Sequence, residues 1–392
     1  MKPQARELEC RPKQTNDSGN DNIKTLRMAS HDPNGDQFPI LKNRRIIKAA
    51  LGQEVDTVPV WIMRQAGRYL PEFRQLRAEH SFFDMCETPK LACEATLMPL
   101  KRFNLDAAII FSDILIIPQA LGLEVEMKSG EGPKLPEPLK LGDDINKRLD
   151  NKVNIAQRLS YVYEAIRVTR HAIDGQCPLI GFSGAPWTLM CYMIEGGGSK
   201  TMSKAKRWLY EDPKKSCELL SILADKVTDH LVEQARHGAQ LVQIFESNAE
   251  YLTRELFERF AYPYILKICR EFKRRVAEMQ LSDTVPIIFF AKGGHYTLDL
   301  IANDSDLIDV VSLDWTIDPE LARAKTRQTL QGNLDPCALY ASDEDLNVMA
   351  HTLVKKFGKQ RYIANLGHGI YPDMDPEKVR VFVDAIHRFG RV

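Results

Sequence analysis

From about Phe38 to the C-terminus, short runs of consecutive apolar residues alternate with longer stretches in which apolar positions recur every three or four residues. The runs are Val58–Met63, Ala107–Ser112, Pro178–Ser183, Ala239–Glu246, Val285–Lys292, Asp309–Asp314, Thr329–Asn333 and Tyr362–Gly367. Most are apolar at nearly every position, the pattern of strands buried on both faces, as in a parallel sheet. The stretches between them carry helix-start signals. Thr88-Pro89 and Asp375-Pro376-Glu377 place a capping residue before a proline at the first helical position, and Asp212-Pro213 opens an amphipathic stretch that reaches about His237. Eight strands in strict β-then-α order predict an α/β fold, a (β/α)8 TIM barrel. An open doubly wound sheet is the alternative, but no glycine-rich phosphate fingerprint follows the first strand.

Residues 1–37 show no such patterning. They are rich in Asn, Asp, Lys, Pro and Gly, which predicts a disordered N-terminal tail ahead of a single domain over residues 38–392. Composition then removes several classes of function. Among 392 residues, 53 Lys and Arg are balanced by 53 Asp and Glu, so the net charge is zero. A neutral chain without a basic block is not a general nucleic-acid binder, whose affinity comes mainly from phosphate neutralisation. No apolar run approaches the roughly 20 residues that a membrane span needs. The eight cysteines form no CxxC pair, and Cys93, Cys217 and Cys269 sit in apolar helical contexts. That usage fits a reducing compartment, the cytosol.

A barrel enzyme carries its chemistry where strands end and the following loops begin. Arg64 follows the first run and Asp113 the second. The third leads through Gly184-Ala185-Pro186-Trp187 to Tyr192. Glu246 ends the fourth with Ser247 beyond it, Lys292 ends the fifth and Asp314 the sixth. Asn333 ends the seventh, with Asp335 close by, and His368 follows the eighth. Arg64, Arg68, Arg74 and Arg77 fall within fourteen residues. Arginine presents paired planar donors that match carboxylate or phosphate oxygens. The plain alternative is a salt-bridged, solvated helix face. Against it, the cluster directly follows a buried strand, and Gly67 and Pro71 interrupt the helical run. Asp113 reads equally as a helix cap, and His368 as a loop histidine bonded to backbone. Tyr192 reads equally as part of a core helix.

Other chemistries lack their signatures. Ser247 has no GxSxG context, there is no HExxH and no Cys/His cluster, and a zinc-thiolate methyltransferase would need a His-x-Cys pair. Arginines, one or two carboxylates, a Tyr, a Ser and a His make a kit for binding a polyanion and moving protons without a metal or organic cofactor. A non-catalytic binder of the same polyanion would need the arginines but not Asp113.

Taken together, RQAGRYLPEFR, IIFSDIL, GAPWTLM, FAKGGH, LQGNLDP and YIANLGHGIYPDMDP resemble the uroporphyrinogen decarboxylase family, in order and spacing, from about Phe38 to the C-terminus. The resemblance implies a single-domain barrel that works without a cofactor, decarboxylates the four acetates of uroporphyrinogen to methyls, and pairs as a homodimer with its clefts facing. Carried over by residue, it implies substrate contacts at Arg64, Ala66, Arg68, Arg77, Asp113, Tyr192, Ser247 and His368, with Arg64, Asp113 and His368 as the catalytic set. One departure is visible. The family often reads ESH where this chain has Glu246-Ser247-Asn248, so a histidine role is missing at that position.

Overall fold

The computed structural model describes residues 35, 37–128, 132–281, 284–304 and 306–392. The expected tail over residues 1–37 lies outside them, apart from Gly35 and Gln37. The strands, in chain order, are β1 (Ala108–Ile109), β2 (Glu126–Lys128), β3 (Gly132–Lys134), β4 (Leu179–Gly184), β5 (Leu241–Glu246), β6 (Ile287–Ala291), β7 (Val310–Ser312), β8 (Thr329–Leu334) and β9 (Tyr362–Leu366). Seven of them form one parallel sheet in the order β1-β4-β5-β6-β7-β8-β9. Each of the seven falls on a run read as a strand from the sequence, β4 and β8 ending one residue beyond theirs. β2 and β3 make a separate antiparallel hairpin that the sequence pattern did not announce.

The remaining run, the first in the chain, Val58–Met63, closes the sheet into a barrel without forming a ladder strand. It lies between β1 and β9, touching β9 by an isolated parallel bridge, Val60 to Ala364. Ala364 N–H donates to the Pro59 carbonyl at 2.8 Å, Trp61 N–H to the Ala364 carbonyl at 3.3 Å, and Asp106 N–H to the Val60 carbonyl at 2.9 Å. Side chains take over the remaining donors. Val60 N–H bonds Asp106 Oδ2 at 2.9 Å and Met63 N–H bonds Asn365 Oδ1 at 2.9 Å. Pro59 has no N–H to give, which is why this strand is stitched by side chains instead of a regular ladder.

Two apolar layers flank the sheet. Alternate strand residues such as Val242, Ile287, Phe289 and Tyr362 pack outward against the helices. Ile180, Leu241, Ile288, Val310 and Ile363 point inward around Trp61, with the helix Arg45–Ala50 packed on the same cluster. Inside the barrel Trp61 Nε1 donates to Gln331 Oε1 at 2.8 Å. The Gln331 amide donates in turn to Ser312 Oγ at 2.9 Å and Gln243 Oε1 at 3.2 Å. A barrel filled in this way is a packed core and leaves its C-terminal rim to carry the chemistry.

The helix-start signals hold with one exception. Asp212 and Asp375 accept bonds from Lys215 N–H and Glu377 N–H at the starts of Pro213–Arg236 and Pro376–Phe389. Thr88 stands at the N-cap of Pro89–Arg102, but its side chain makes no capping bond.

Candidate active site

The loop after the first run is a rigid turn. Gln65 N–H donates to the Ile62 carbonyl at 2.9 Å, the Gln65 amide reaches the Ala107 carbonyl at 3.3 Å, and the Tyr69 hydroxyl donates to the Gln65 carbonyl at 2.8 Å. Arg64 itself has φ +62°, the left-handed region that a side chain makes costly by roughly 1–2 kcal/mol. Backbone strain of this kind persists where the surroundings over-determine it, and it clusters at functional sites. The Arg64 side chain is exposed at the rim, and the protein packed beside it lowers its pKa by desolvation, with Arg68 adding repulsion. Tyr192 and Tyr371 lie close enough to oppose that shift.

The four arginines of the sequence cluster divide in two. Arg74 Nη1 donates to the carbonyls of Arg68 and Tyr69 at 2.8 and 3.0 Å, so it braces the loop. Arg68 is exposed beside Arg64. Arg77, half-buried on the helix Pro71–Glu79, bonds the His80 carbonyl and lies near the Cys86 thiol, which also feels the charge of Asp113. Ala66, half-buried, packs against the core.

Asp113 is only 5% exposed, and burial pushes its carboxyl up to about 6. Its Oδ1 accepts from Leu115 N–H at 3.2 Å, while Oδ2 is buried with no hydrogen-bond partner. The cap reading thus accounts for one oxygen, which braces the turn, and leaves the other free. A buried, unpartnered carboxylate oxygen is costly and calls for an explanation outside the fold. Tyr192, on the helix Pro186–Glu195, connects the two key charges. Burial is the main force raising its pKa, Arg64 pulls it down, and Asp113 pushes it up.

His368 follows β9. Burial, then Arg64 and Lys292, depress its imidazole to about 4, so it is neutral at pH 7, and its Nδ1 has no partner. Its ring lies edge-on to Trp315, with centroids 6.0 Å apart. The next residue, Gly369, lies directly beneath the Arg64 side chain.

At the end of β5, Glu246 is fully buried and burial raises it to about 7. Ser247 is half-buried, and its N–H donates to Thr188 Oγ1 at 2.8 Å. Asn248 is buried. Its carbonyl accepts from Trp187 Nε1 at 3.1 Å, its side chain lies against Cys191, and its Nδ2 has no partner. Sequence reasoning passed over Thr188 because an isolated threonine in GAPWTLM gives no chemical signal. Three other strand-end groups are occupied by the fold. Asp314 accepts from Gly293 N–H and from Thr316, the Asn333 amide donates to the carbonyls of Asp314 and Ile317, and Asp335 caps the turn at Pro336. Lys292 is paired with Glu250 at 2.6 Å. Among the described residues no cluster of three or more His, Cys, Asp or Glu side chains is placed to hold a metal ion, and no helix is long and apolar enough to cross a membrane.

Comparison with known proteins bears on this geometry directly. Residues 41–389 match the uroporphyrinogen decarboxylase (URO-D) family. The chain is 55% identical to uroporphyrinogen decarboxylase of Ovis aries and 54% identical to that of Homo sapiens, in each case over 91% of this chain and 96% of the other. It is 51% identical to the Schizosaccharomyces pombe enzyme, over 90% of this chain and 99% of that one. Among solved structures, a methyltransferase from Methanosarcina mazei has the same fold, with a TM-score of 0.70 at 18% identity, covering 89% of this chain and 99% of its own. The fold and these relatives define a barrel lyase, one that breaks a carbon–carbon bond to release carbon dioxide. The chain belongs to the uroporphyrinogen decarboxylase family and acts in porphyrin biosynthesis.

Proposed function

We propose that the rim formed by Arg64, Ala66, Arg68, Arg77, Asp113, Tyr192, Ser247 and His368 binds uroporphyrinogen and converts its four acetates to methyls. The products are coproporphyrinogen and four molecules of carbon dioxide, and one proton is taken up per acetate. The observation that carries the assignment is Asp113, a buried carboxylate with one oxygen left unpaired at a strand end.

An acetate on a pyrrole is stable until the ring becomes an electron sink. A proton added to the ring carbon adjacent to the one bearing the acetate makes the ring an iminium-like cation. The C–C bond to the carboxylate then breaks, its electron pair neutralises the ring, and carbon dioxide leaves. A second proton converts the exocyclic methylene to methyl, and the proton first added is lost from the ring. Asp113 Oδ2 accepts pyrrole N–H groups and stabilises the transient cation by preorganised electrostatics. Its raised pKa is a property of the empty site, and a bound pyrrole cation favours the ionised form. Arg68 and Arg77 hold substrate carboxylates through charge-assisted bonds. Arg64, held at the rim by its strained turn, is placed to pass a proton to the ring, with a bound water as the rival donor. His368, neutral above about pH 4, serves as a hydrogen-bonding partner and not as an imidazolium acid. No metal or organic cofactor takes part. Two copies pair with their rims facing, the protein resides in the cytosol, and residues 1–37 are dispensable for catalysis.

The direct test is anaerobic turnover of reduced uroporphyrinogen after dialysis against a chelator. Stepwise loss of carboxyl groups at the undialysed rate supports the reading. Binding without turnover, or activity restored only by one metal, rejects it. Sedimentation at micromolar protein tests the pairing, and a chain beginning at Asp36 tests the tail.

A further inference from the structure

Glu246 is a buried carboxyl that the proposed chemistry leaves unused. It lies at the end of β5 with no exposed surface, and no cation is among the groups that influence it. A carboxyl in such a place lowers stability, and an apolar side chain of similar size would fill the space at less cost. Its hydrogen bonds indicate what it does. Ser247 N–H donates to Thr188 Oγ1 at 2.8 Å, which leaves the single Thr188 hydroxyl proton free to donate onward to Glu246 Oε1 at 2.5 Å. The same Oε1 accepts Asn248 N–H at 3.2 Å. With the carboxyl ionised the chain runs one way, from the Ser247 N–H to the hydroxyl and from the hydroxyl to the carboxylate.

Thr188 sits one turn before Tyr192 on the helix Pro186–Glu195. The relay thus ties the Ser247 turn to the helix that carries Tyr192. The Trp187 indole, bonded to the Asn248 carbonyl, adds a second tie between the same two segments. We propose that Glu246 is a positioning residue: acting through Thr188, its carboxyl sets the separation of Ser247 and Tyr192 across the substrate. The proposal rests on the placement of those two residues in the substrate site.

Thr188→Val keeps the shape of the side chain and removes the relay, so kcat should fall on the order of 10- to 100-fold, the cost of a displacement of about 1 Å at a reacting site. The melting curve should stay close to wild type, and Thr188→Ser should recover most of the activity. Glu246→Leu should cause a similar loss. Glu246→Gln, which offers the same acceptor oxygen, should recover much of it. Because the two residues act as one unit, the double variant Thr188→Val/Glu246→Leu should be little worse than either single one. Wild-type kcat in Thr188→Val, a Gln variant as impaired as the Leu variant, or additive losses would overturn the proposal. Ser247→Ala and Tyr192→Phe, assayed alongside, separate the two failures. If these are impaired while Thr188→Val is not, only the relay is wrong. If neither is impaired, the site assignment fails and the relay with it.

Discussion

Gly369 leaves the space that Arg64 occupies. A Cβ placed on Gly369 would lie 2.2 Å from Arg64 Cδ and 2.6 Å from both Cγ and Nε, closer than real atoms approach. The glycine after His368 is therefore required by close packing of the arginine and not by its own backbone angles. A methyl group there evicts the Arg64 side chain, whose backbone is already held at positive φ. Gly369→Ala should lower kcat/KM by about 10²-fold, as expected for misplacing a reacting group by about 1 Å. It should do so with secondary structure intact, since an exposed arginine swings out more easily than a core yields. Steady-state kinetics beside circular dichroism decide it, and wild-type kinetics would mean that Arg64 works from another position.

Arg68 makes no bond that the fold depends on, unlike Arg74, which braces two carbonyls. Arg68→Ala should weaken substrate binding by roughly 10- to 100-fold, the value of one charge-assisted bond of about 1.5–3 kcal/mol. Arg68→Lys should recover only part of it, because the planar fork is lost. The readout is KM for uroporphyrinogen, and an unchanged KM in both variants would return Arg68 to the solvated surface.

Acid sensitivity of the fold should trace to His230. It is fully buried, bonded to the Tyr163 hydroxyl at 3.1 Å, and burial depresses it to about 3. In the unfolded chain it takes up a proton below about pH 6.5. The unfolded state then binds more protons, so the contribution is fully present above pH 6.5 and is lost as pH falls toward 3. At pH 5 the loss amounts to about 2 kcal/mol relative to pH 8. Glu246 and Asp113, raised to about 7 and about 6, act with the opposite sign, since the stability they cost grows as pH rises through roughly 4 to 7. They are common to wild type and His230→Gln, so the difference between the two isolates His230. Between pH 8 and pH 5 the wild-type urea midpoint should fall relative to that of His230→Gln. Equal shifts would locate the sensitivity elsewhere.

How much of this was legible in the sequence depends on the range of the forces involved. The parallel strands β4 to β9 could be read because burial on both faces leaves a continuous apolar run. Val58–Met63 had the same signature but forms only a bridge, because Pro59 lacks a donor and Asp106 and Asn365 supply the missing bonds from distant parts of the chain. The hairpin of β2 and β3 was silent because its strands are only three residues long and carry Lys, Glu and Pro. Arg64, Asp113 and His368 could be named from their positions after strands. Their environment could not be named, because burial and unpaired oxygens arise only on folding. Arg74 shows the reverse, with a sequence context like that of Arg77 and a structural task. The Glu246–Thr188–Ser247 relay joins residues 58 or more positions apart, and no local pattern could have announced it.

Stabilisation of the ring cation by Asp113 is checked by kcat/KM against pH for wild type and Asp113→Asn, with thermal melting alongside. In the free enzyme the Asp113 carboxyl titrates at about 6, so wild-type kcat/KM should fall as pH drops through that value. Asparagine removes the charge and presents a donor to the pyrrole N–H groups, which should cost about 10²–10³ in rate. That variant should also lose the acid limb near pH 6. Its melting temperature should hold or rise, because the substitution ends the burial of an unpaired carboxylate oxygen. If Asp113→Asn turned over near the wild-type rate with the same pH profile, Asp113 would be no more than a cap for the turn at Leu115, and stabilisation of the ring cation by this carboxylate would be contradicted.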